Sequence, residues 1–241
     1  TDGYTVACLV PRPTPWQRVS DATVTLDPPP SEADSYVDAF GNLVHQFGLH
    51  ELHRAVTITA ASTVDLERQP EPVDDTPWEQ VVAMLDAADG AVAVDAGFFR
   101  SPSTFVDLHD LGVALRSIAM RSFTPGRGVV VAAHALCRDI FESFQFDAGF
   151  SDVSTPLTRV LAARRGVCQD FAHLAVGCLR SIGLASRYVS GYIETFPPPG
   201  KARLVGADAS HAWCSVWTPL AGWVDFDPTN GHLPVNHHIT V

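Results

Sequence analysis

Cys168 stands between the pair Gly166-Val167 and a run with helical periodicity. Phe171, Leu174, Ala175, Cys178, Leu179 and Ile182 keep the i, i+3, i+4, i+7, i+8 spacing of one apolar helix face. Counted back from Phe171, Cys168 falls in the first turn, where unpaired backbone N–H groups and the positive end of the helix dipole favour an anion. A thiol placed there loses its proton more readily, and the thiolate is the nucleophile. Further along, strand alternation over residues 209–218 puts His211, Trp213, Ser215 and Trp217 on one face and Ala212, Cys214 and Val216 on the other. A hairpin-like turn at Pro219-Leu220-Ala221-Gly222 leads to a second strand in which Trp223, Asp225 and Asp227 share a face. Paired strands set a carboxylate beside an imidazole, and Cys168 completes a Cys, His, Asp set. In such a set the thiolate attacks a carbonyl carbon, the imidazole takes and returns the proton, and the carboxylate holds the imidazole's tautomer and orientation. Alternation alone admits either Asp225 or Asp227.

The elements that must position these groups are legible in outline. Residues 1–68 read as an N-terminal β region, with strands at Thr5–Val10, Asp21–Leu26, Leu43–Phe47 and Ala55–Thr59 leading to Val64. Short strands at roughly ten-residue spacing suggest a sandwich-like unit. The polar, proline-bearing stretch 69–77 reads as a linker, and 78–241 as the catalytic core. In that core the pattern predicts helices over Trp78–Asp86, from Pro102-Ser103-Thr104 to Arg116, and over Gly128–Phe146. A further helix starts at Ser154-Thr155-Pro156, with Ser or Thr as cap, and ends near Arg164-Arg165-Gly166. The Cys168 helix runs to Ser181 and is stopped by Gly183. Strands follow at Ser186–Glu194, ended by Thr195–Gly200, then at Ala209–Thr218 and Gly222–Asp227. Helices followed by an antiparallel sheet define an α+β class.

Three blocks in order resemble the transglutaminase-like superfamily, which shares a papain-like Cys-His-Asp core. They are Arg165-Gly166-Val167-Cys168-Gln169-Asp170-Phe171-Ala172-His173, Asp208-Ala209-Ser210-His211-Ala212-Trp213, and Gly222-Trp223-Val224-Asp225-Phe226-Asp227-Pro228-Thr229-Asn230. Pro11-Arg12-Pro13 with Gln17, and Asp38-Ala39-Phe40-Gly41-Asn42, resemble the β region that precedes this core in bacterial members. The resemblance implies an N-terminal antiparallel β unit and a core of helices packed on an antiparallel sheet. It implies Cys168 as nucleophile, His211 as general base and acid, and Asp227 as orienting carboxylate, because the family's aspartate lies four residues after the tryptophan and just before Pro-Thr. The Cys168 backbone N–H is the expected first oxyanion donor. Papain-like enzymes place a glutamine six residues before the nucleophile, where this chain has Ala162. Gln145, with Gln169 and Asp170, is therefore the candidate for oxyanion or supporting roles, and Trp213 and Trp223 are candidates for the walls of a substrate cleft.

The implied reaction is acyl transfer at a peptide or amide carbonyl through a thioester on Cys168. Water as acceptor makes a peptidase or amidase, the favoured outcome. An amine acceptor makes a transglutaminase, an activated acyl donor a related acyltransferase, and a decayed site a peptide-binding module. The expected partner is a peptide or protein substrate. No cofactor, metal or calcium is called for, since no acidic calcium loop or zinc-ligand spacing is present.

Composition bounds the alternatives. The 241 residues are 46% hydrophobic and 18% charged, as in a globular protein with a sizeable core. A net charge of −11 argues against nucleic acid or an anionic membrane as partner. No apolar run approaches the ~20 residues of a membrane span, and the N-terminus shows no signal-peptide pattern. The five cysteines, an odd number without framework spacing, favour a reducing compartment, most simply the cytoplasm. Cys8, Cys137, Cys178 and Cys214 read as core residues. His173, five residues past Cys168, reads as a packing or supporting residue. For Asp170, dipole complementation competes with a buried bond to the strand that carries His211.

Overall fold

A computed structural model describes residues 3–194, 210–234 and 237–241. Asp208 and Ala209 of the second motif block, and the expected strand end at 195–200, lie outside the described residues. Contacts divide the chain into two units, and neither is a continuous stretch. The first takes Thr1–Gln69, Gly191–Ser210 and Asn236–Val241, and the second Pro70–Ser190 and His211–Val235.

The first unit contains β1 (Gly3–Cys8), β2 (Gln17–Asp27), β3 (Glu32–Val37), β4 (Leu43–Leu49) and β5 (Thr57–Leu66). β1, β4 and β3 form one antiparallel sheet in that order, and β2 pairs with β5 in another. β4 is the buried strand of its sheet, where Val44, Phe47 and Leu49 pack. β3 is fully exposed and shows no alternation, which is why its hydrophobic pattern announces nothing. Backbone pairing to β4 carries it instead, from Glu32 opposite Gly48 to Val37 opposite Leu43. The Asp38–Asn42 motif is the turn between these strands. Asp38 Oδ1 accepts the N–H groups of Phe40 at 2.8 Å and Asn42 at 2.9 Å. Gly41 supplies the positive φ of 80°, and a Cβ there would meet the Arg12 guanidinium at 2.8 Å. Gln17, 4% exposed, donates to the carbonyls of Arg12 and Thr240 and accepts the Thr240 N–H. Both N-terminal motifs are thus polar staples. Cys8 departs from the expected core placement: it is exposed, because alternation along β1 turns Tyr4, Val6 and Cys8 to the open face.

The second unit holds α1 (Trp78–Asp86), α2 (Gly90–Asp95), a 3-10 turn (Gly97–Arg100), α3 (Leu108–Ser122), α4 (Val129–Ser143), β6 (Gln145–Phe146), α5 (Leu157–Ala163), β7 (Arg165–Gly166) and α6 (Cys168–Ser181). After them come β8 (Ser186–Ile193), β9 (Ser210–Thr218), β10 (Gly222–Phe226) and β11 (His238–Thr240). In this unit β10, β9 and residues 186–190 of β8 lie side by side, whereas residues 191–193 of β8 pair with β11 in the first unit. α6 is buried on almost every side and packs on α3, α4 and α5. At Gly177 an added Cβ would stand 3.0 Å from Leu115 of α3, so the glycine sets the closeness of the two helices.

Several boundaries differ from the pattern-based expectation. α3 starts at Leu108 rather than Pro102, because Asp107 accepts the N–H groups of His109 and Asp110, while Ser103 and Val106 bond to each other in a tight turn. α4 ends at Ser143, and Phe144–Phe146 turn extended so that β6 runs parallel to β7. α5 has no Ser or Thr cap; Ser154 and Thr155 bond to Asp152 instead, and Pro156 precedes the first turn. β10 ends at Phe226, which leaves Asp227 in a turn. α2 and β11 are too short to leave a periodic signal.

The core around α6 gives a direct stability test. Leu174→Ala removes a fully buried side chain and should cost about 2–5 kcal/mol in urea unfolding. Val113→Ala, at an exposed position of α3, should stay within about 0.5 kcal/mol of the parent.

Candidate active site

Cys168 is the first residue of α6, and the turn before it is built around a close approach. Asp170 is 2% exposed and reaches back to accept the Val167 N–H at 2.8 Å, the return half of a capping box. The Ser151 hydroxyl donates to the same carboxylate oxygen. A Cβ on residue 166 would meet Asp170 Oδ2 at 2.6 Å, so the Gly-Val-Cys-Gln-Asp order is steric as well as chemical. Asp170 therefore fixes the entry of its own helix. Among the described residues it makes no bond to the strand that carries His211, which corrects that alternative. In the first turn the N–H groups of Cys168 and Gln169 have no backbone acceptor within the helix, and that of Gln169 reaches the Cys168 sulfur.

His211 enters on β9, and Asp227 follows β10 by one residue. Their side chains meet at 2.9 Å between Nε2 and Oδ2. Asp227 is 0% exposed and is held by its own turn. Oδ1 accepts the N–H groups of Thr229 at 2.9 Å and Asn230 at 3.2 Å, and Oδ2 also accepts from Asn230 Nδ2 at 2.8 Å. With Nε2 committed to the carboxylate, Nδ1 is the nitrogen left for sulfur, and the Cys168 thiol and His211 are hydrogen-bonded. Asp225 is not a rival: it accepts the Trp213 indole N–H at 3.1 Å.

The protonation of this group follows from its neighbours. Burial acts to raise the Cys168 thiol. The His211 hydrogen bond and charge, with the Ala212 and Gln169 backbone N–H groups, outweigh it and hold the thiol below its ordinary value. Burial acts to lower His211, and the Asp227 and Cys168 partners overcome it, lifting the imidazole to about 9. Both shifts run in the direction that favours a thiolate beside an imidazolium over the neutral pair. The other thiols differ: burial pushes Cys137 and Cys178 up strongly, and Cys8 is raised as well.

Of the remaining candidates, one is corrected. Trp213 does not wall a cleft; it is fully buried, with its ring stacked 6.1 Å from the His211 ring. Trp223 lies at the other end of β10 from Asp227. It is engaged by Asp95 at 3.1 Å, by the edge-on Phe99 ring and by the Arg187 guanidinium 4.3 Å above it. Gln145 is exposed on β6 opposite Arg165, with its N–H on the Arg164 carbonyl. Gln169 lines a cavity of ≈ 400 Å³ that also meets His173 and Tyr188. His173 is stacked between Phe105 and Tyr188, and burial lowers it to about 4, so it is a neutral packing group. Ser151 and Asn230 were not singled out by residue pattern. Asn230 could have been found from its place three residues after an aspartate, the spacing of an Asx-type turn.

The arrangement of helices on an antiparallel sheet, with cysteine at a helix start and histidine on a strand, is that of the papain-like α+β class. A candidate cysteine protease of Cytophaga hutchinsonii has a similar crystal structure. Its TM-score is 0.73 at 20% identity, covering 100% of this chain and 76% of that one. Residues 120–228 match the model of the transglutaminase-like superfamily, and residues 1–65 that of the bacterial transglutaminase-like N-terminal region. An uncharacterized protein of Mycobacterium tuberculosis is 39% identical over 250 residues, spanning 100% of this chain and 77% of the relative. A protein-glutamine gamma-glutamyltransferase of Pseudomonas aeruginosa is 37% identical over 67 residues, 27% of this chain and 10% of that enzyme. The chain belongs to the transglutaminase-like superfamily and carries the bacterial N-terminal region in front of the core.

The steric role of Gly166 is testable apart from any substrate. Gly166→Ala should displace Asp170, lower the urea midpoint and slow alkylation of Cys168 by tenfold or more. Gly149→Ala, where a Cβ would meet nothing closer than Asp147 Oδ1 at 3.8 Å, should do neither.

Proposed function

We propose that this protein is a cysteine-dependent acyl-transfer enzyme acting on a peptide or amide carbonyl, with water as the usual acceptor. The observation that carries the reading is the hydrogen-bonded series Cys168–His211–Asp227, in which one thiol of five is held below its ordinary value while three are held above it. Cys168 Sγ attacks the carbonyl carbon to form a tetrahedral intermediate. His211 gives its proton to the leaving amine as the C–N bond breaks, and a thioester remains. Water then attacks while His211 takes its proton, the C–S bond breaks, and the acid and the thiolate are released. Asp227 holds His211 in place and stabilises the imidazolium.

The oxyanion takes the Cys168 N–H as one donor. For the second, Gln145 is favoured, because β6 runs beside the strand that leads into Cys168. An amine in place of water would give protein cross-linking or amide exchange. Nothing among the described residues builds an amine site, which supports hydrolysis. Five thiols without a disulfide support a reducing compartment, most simply the cytoplasm. Among the described residues no helix is long and apolar enough to cross a membrane.

Intact mass after brief iodoacetamide treatment near pH 6 should show one adduct, mapping to Cys168 and slowed at least tenfold by His211→Ala. Equal and slow labelling of all five cysteines sinks the reading. Turnover should fall as pH rises through about 9, because His211 then lacks the proton it must give to the leaving amine. Asp227→Asn should lower kcat by about a hundredfold or more, and Asp225→Asn by less than tenfold; the reverse order would move the orienting role to Asp225. With a glutamine peptide and a labelled amine, ammonia release without amine incorporation is the hydrolase outcome.

A further inference from the structure

One face of α6 leads away from Cys168 and lines a groove. Gln169, His173, Val176 and Arg180 recur at the i, i+4, i+7, i+11 spacing of a single stripe and border the ≈ 400 Å³ cavity together with Phe105 and Tyr188. The walls are apolar and aromatic. The rings of Phe105, His173 and Tyr188 form a continuous stack, with centroids 5.2 Å and 4.8 Å apart and interplanar angles of 15° and 28°. His173 is held neutral by burial, so the stack offers no charge.

The charge stands at the far end. Arg180 donates from Nε and Nη2 to the Ser186 carbonyl at 3.0 Å and 2.8 Å. Its Nη1 donates to the Ser101 carbonyl at 2.7 Å and to Ser103 Oγ at 3.4 Å. These bonds occupy four of the five guanidinium N–H groups, and every acceptor is neutral. No carboxylate among the described residues pairs with it. Burial lowers Arg180 only to about 10, so it stays fully charged at neutral pH. A half-buried guanidinium without a counter-ion carries an uncompensated desolvation cost. One N–H of Nη2 remains to be used. In a chain of net charge −11 with 27 acidic residues, this cation has no carboxylate partner among the described residues, and it borders an apolar cavity that also meets Gln169, the residue after Cys168.

We propose that this groove binds an extended segment of the acyl-donor peptide, and that Arg180 is the specificity-determining residue that takes a carboxylate of that segment. The inference rests on the acyl-transfer reading above. Twelve residues of helix separate Cys168 from Arg180, about 18 Å along the axis. An extended peptide rises about 3.3 Å per residue. The preferred carboxylate therefore lies about four to six residues from the reacting carbonyl. The residue that precedes it should be aromatic or large and apolar, to lie along the Phe105–His173–Tyr188 stack. The shared chemistry is a carboxylate, which an acidic side chain or a peptide C-terminus can supply.

The test measures binding apart from turnover. Fluorescein-tagged decapeptides with a central glutamine and a single Glu, moved through every other position, are titrated into Cys168→Ser by anisotropy, beside Gln-for-Glu controls. Each is made as C-terminal acid and as amide to separate the two carboxylate sources. Turnover by the unaltered protein is followed on the same set. The expected result is a Glu-over-Gln preference of about tenfold or more, confined to positions four to six residues from the centre on one side. In Arg180→Gln that preference should collapse to below twofold while neutral-peptide affinity holds. Arg180→Lys keeps part of the preference and guards against a fold that needs the cation. A preference shared equally by all positions, or no preference in the unaltered protein, overturns the proposal. So does an equal loss for Glu and Gln peptides in Arg180→Gln, which is the mark of a merely structural clamp. Position-specific binding without turnover of any peptide keeps the groove and overturns the acyl-transfer reading instead.

Discussion

A carboxylate with no exposure to water is the constraint on which the site depends. Burying an unpaired Asp227 would cost several kcal/mol. The chain answers with two backbone N–H groups, one side-chain amide and one imidazole. Three of these come from the turn that Asp227 itself begins, so that turn must close for the charge to be tolerated. Gly231 completes it at φ 69°, under the Phe141 ring, where a Cβ would come within 3.0 Å. The fourth donor is His211, and supplying that hydrogen bond fixes which ring nitrogen is left for sulfur. The protonation of Cys168 is thus set two hydrogen bonds away, by a turn against α4.

A second carboxylate performs the matching task for Cys168. Asp170 holds the Val167 N–H and the Ser151 hydroxyl, and it leaves room for nothing but hydrogen at residue 166. That places Cys168 at the first position of α6, where the Gln169 N–H of the first turn and the Ala212 N–H of β9 reach the sulfur. The same helix is buried on most of its circumference. Its remaining stripe, from Gln169 to Arg180, borders the cavity. One element therefore carries Cys168, a large share of the core and one wall of the cavity.

The parts read from sequence are those where chemistry and local pattern coincide. The Cys168 helix ends where expected, at Ser181, because its apolar period and Gly183 are both local signals. α1 matches over its whole length for the same reason. Asp227 over Asp225 came from the family pattern, and the Trp213–Asp225 bond now supplies a physical reason for it. The departures share a cause in the opposite direction. β3 has no buried face, α2 is six residues long, and the capping of α3 falls to Asp107 rather than to the Ser103-Thr104 pair. Cys8 looked like a core cysteine because cysteines usually are, yet the parity of β1 turns it outward. Trp213 looked like a cleft wall and proved to be the floor beneath His211.

By itself the sequence determined the chemical inventory and its order: a thiol at a helix start, an imidazole on a strand, a carboxylate next to the strand that follows, and the superfamily whose motifs join them. Those properties reside in short windows, where residue type and spacing act over one or two turns. Only the tertiary structure decided which partners meet: Asp227 with His211, Asp225 with Trp213, Asp170 with Ser151, and Arg180 with neutral oxygens and, among the described residues, no carboxylate. Each pairing joins segments whose separation in the chain says nothing of their distance. Whether a buried charge is compensated depends on every group brought to it, which the packed chain alone can specify.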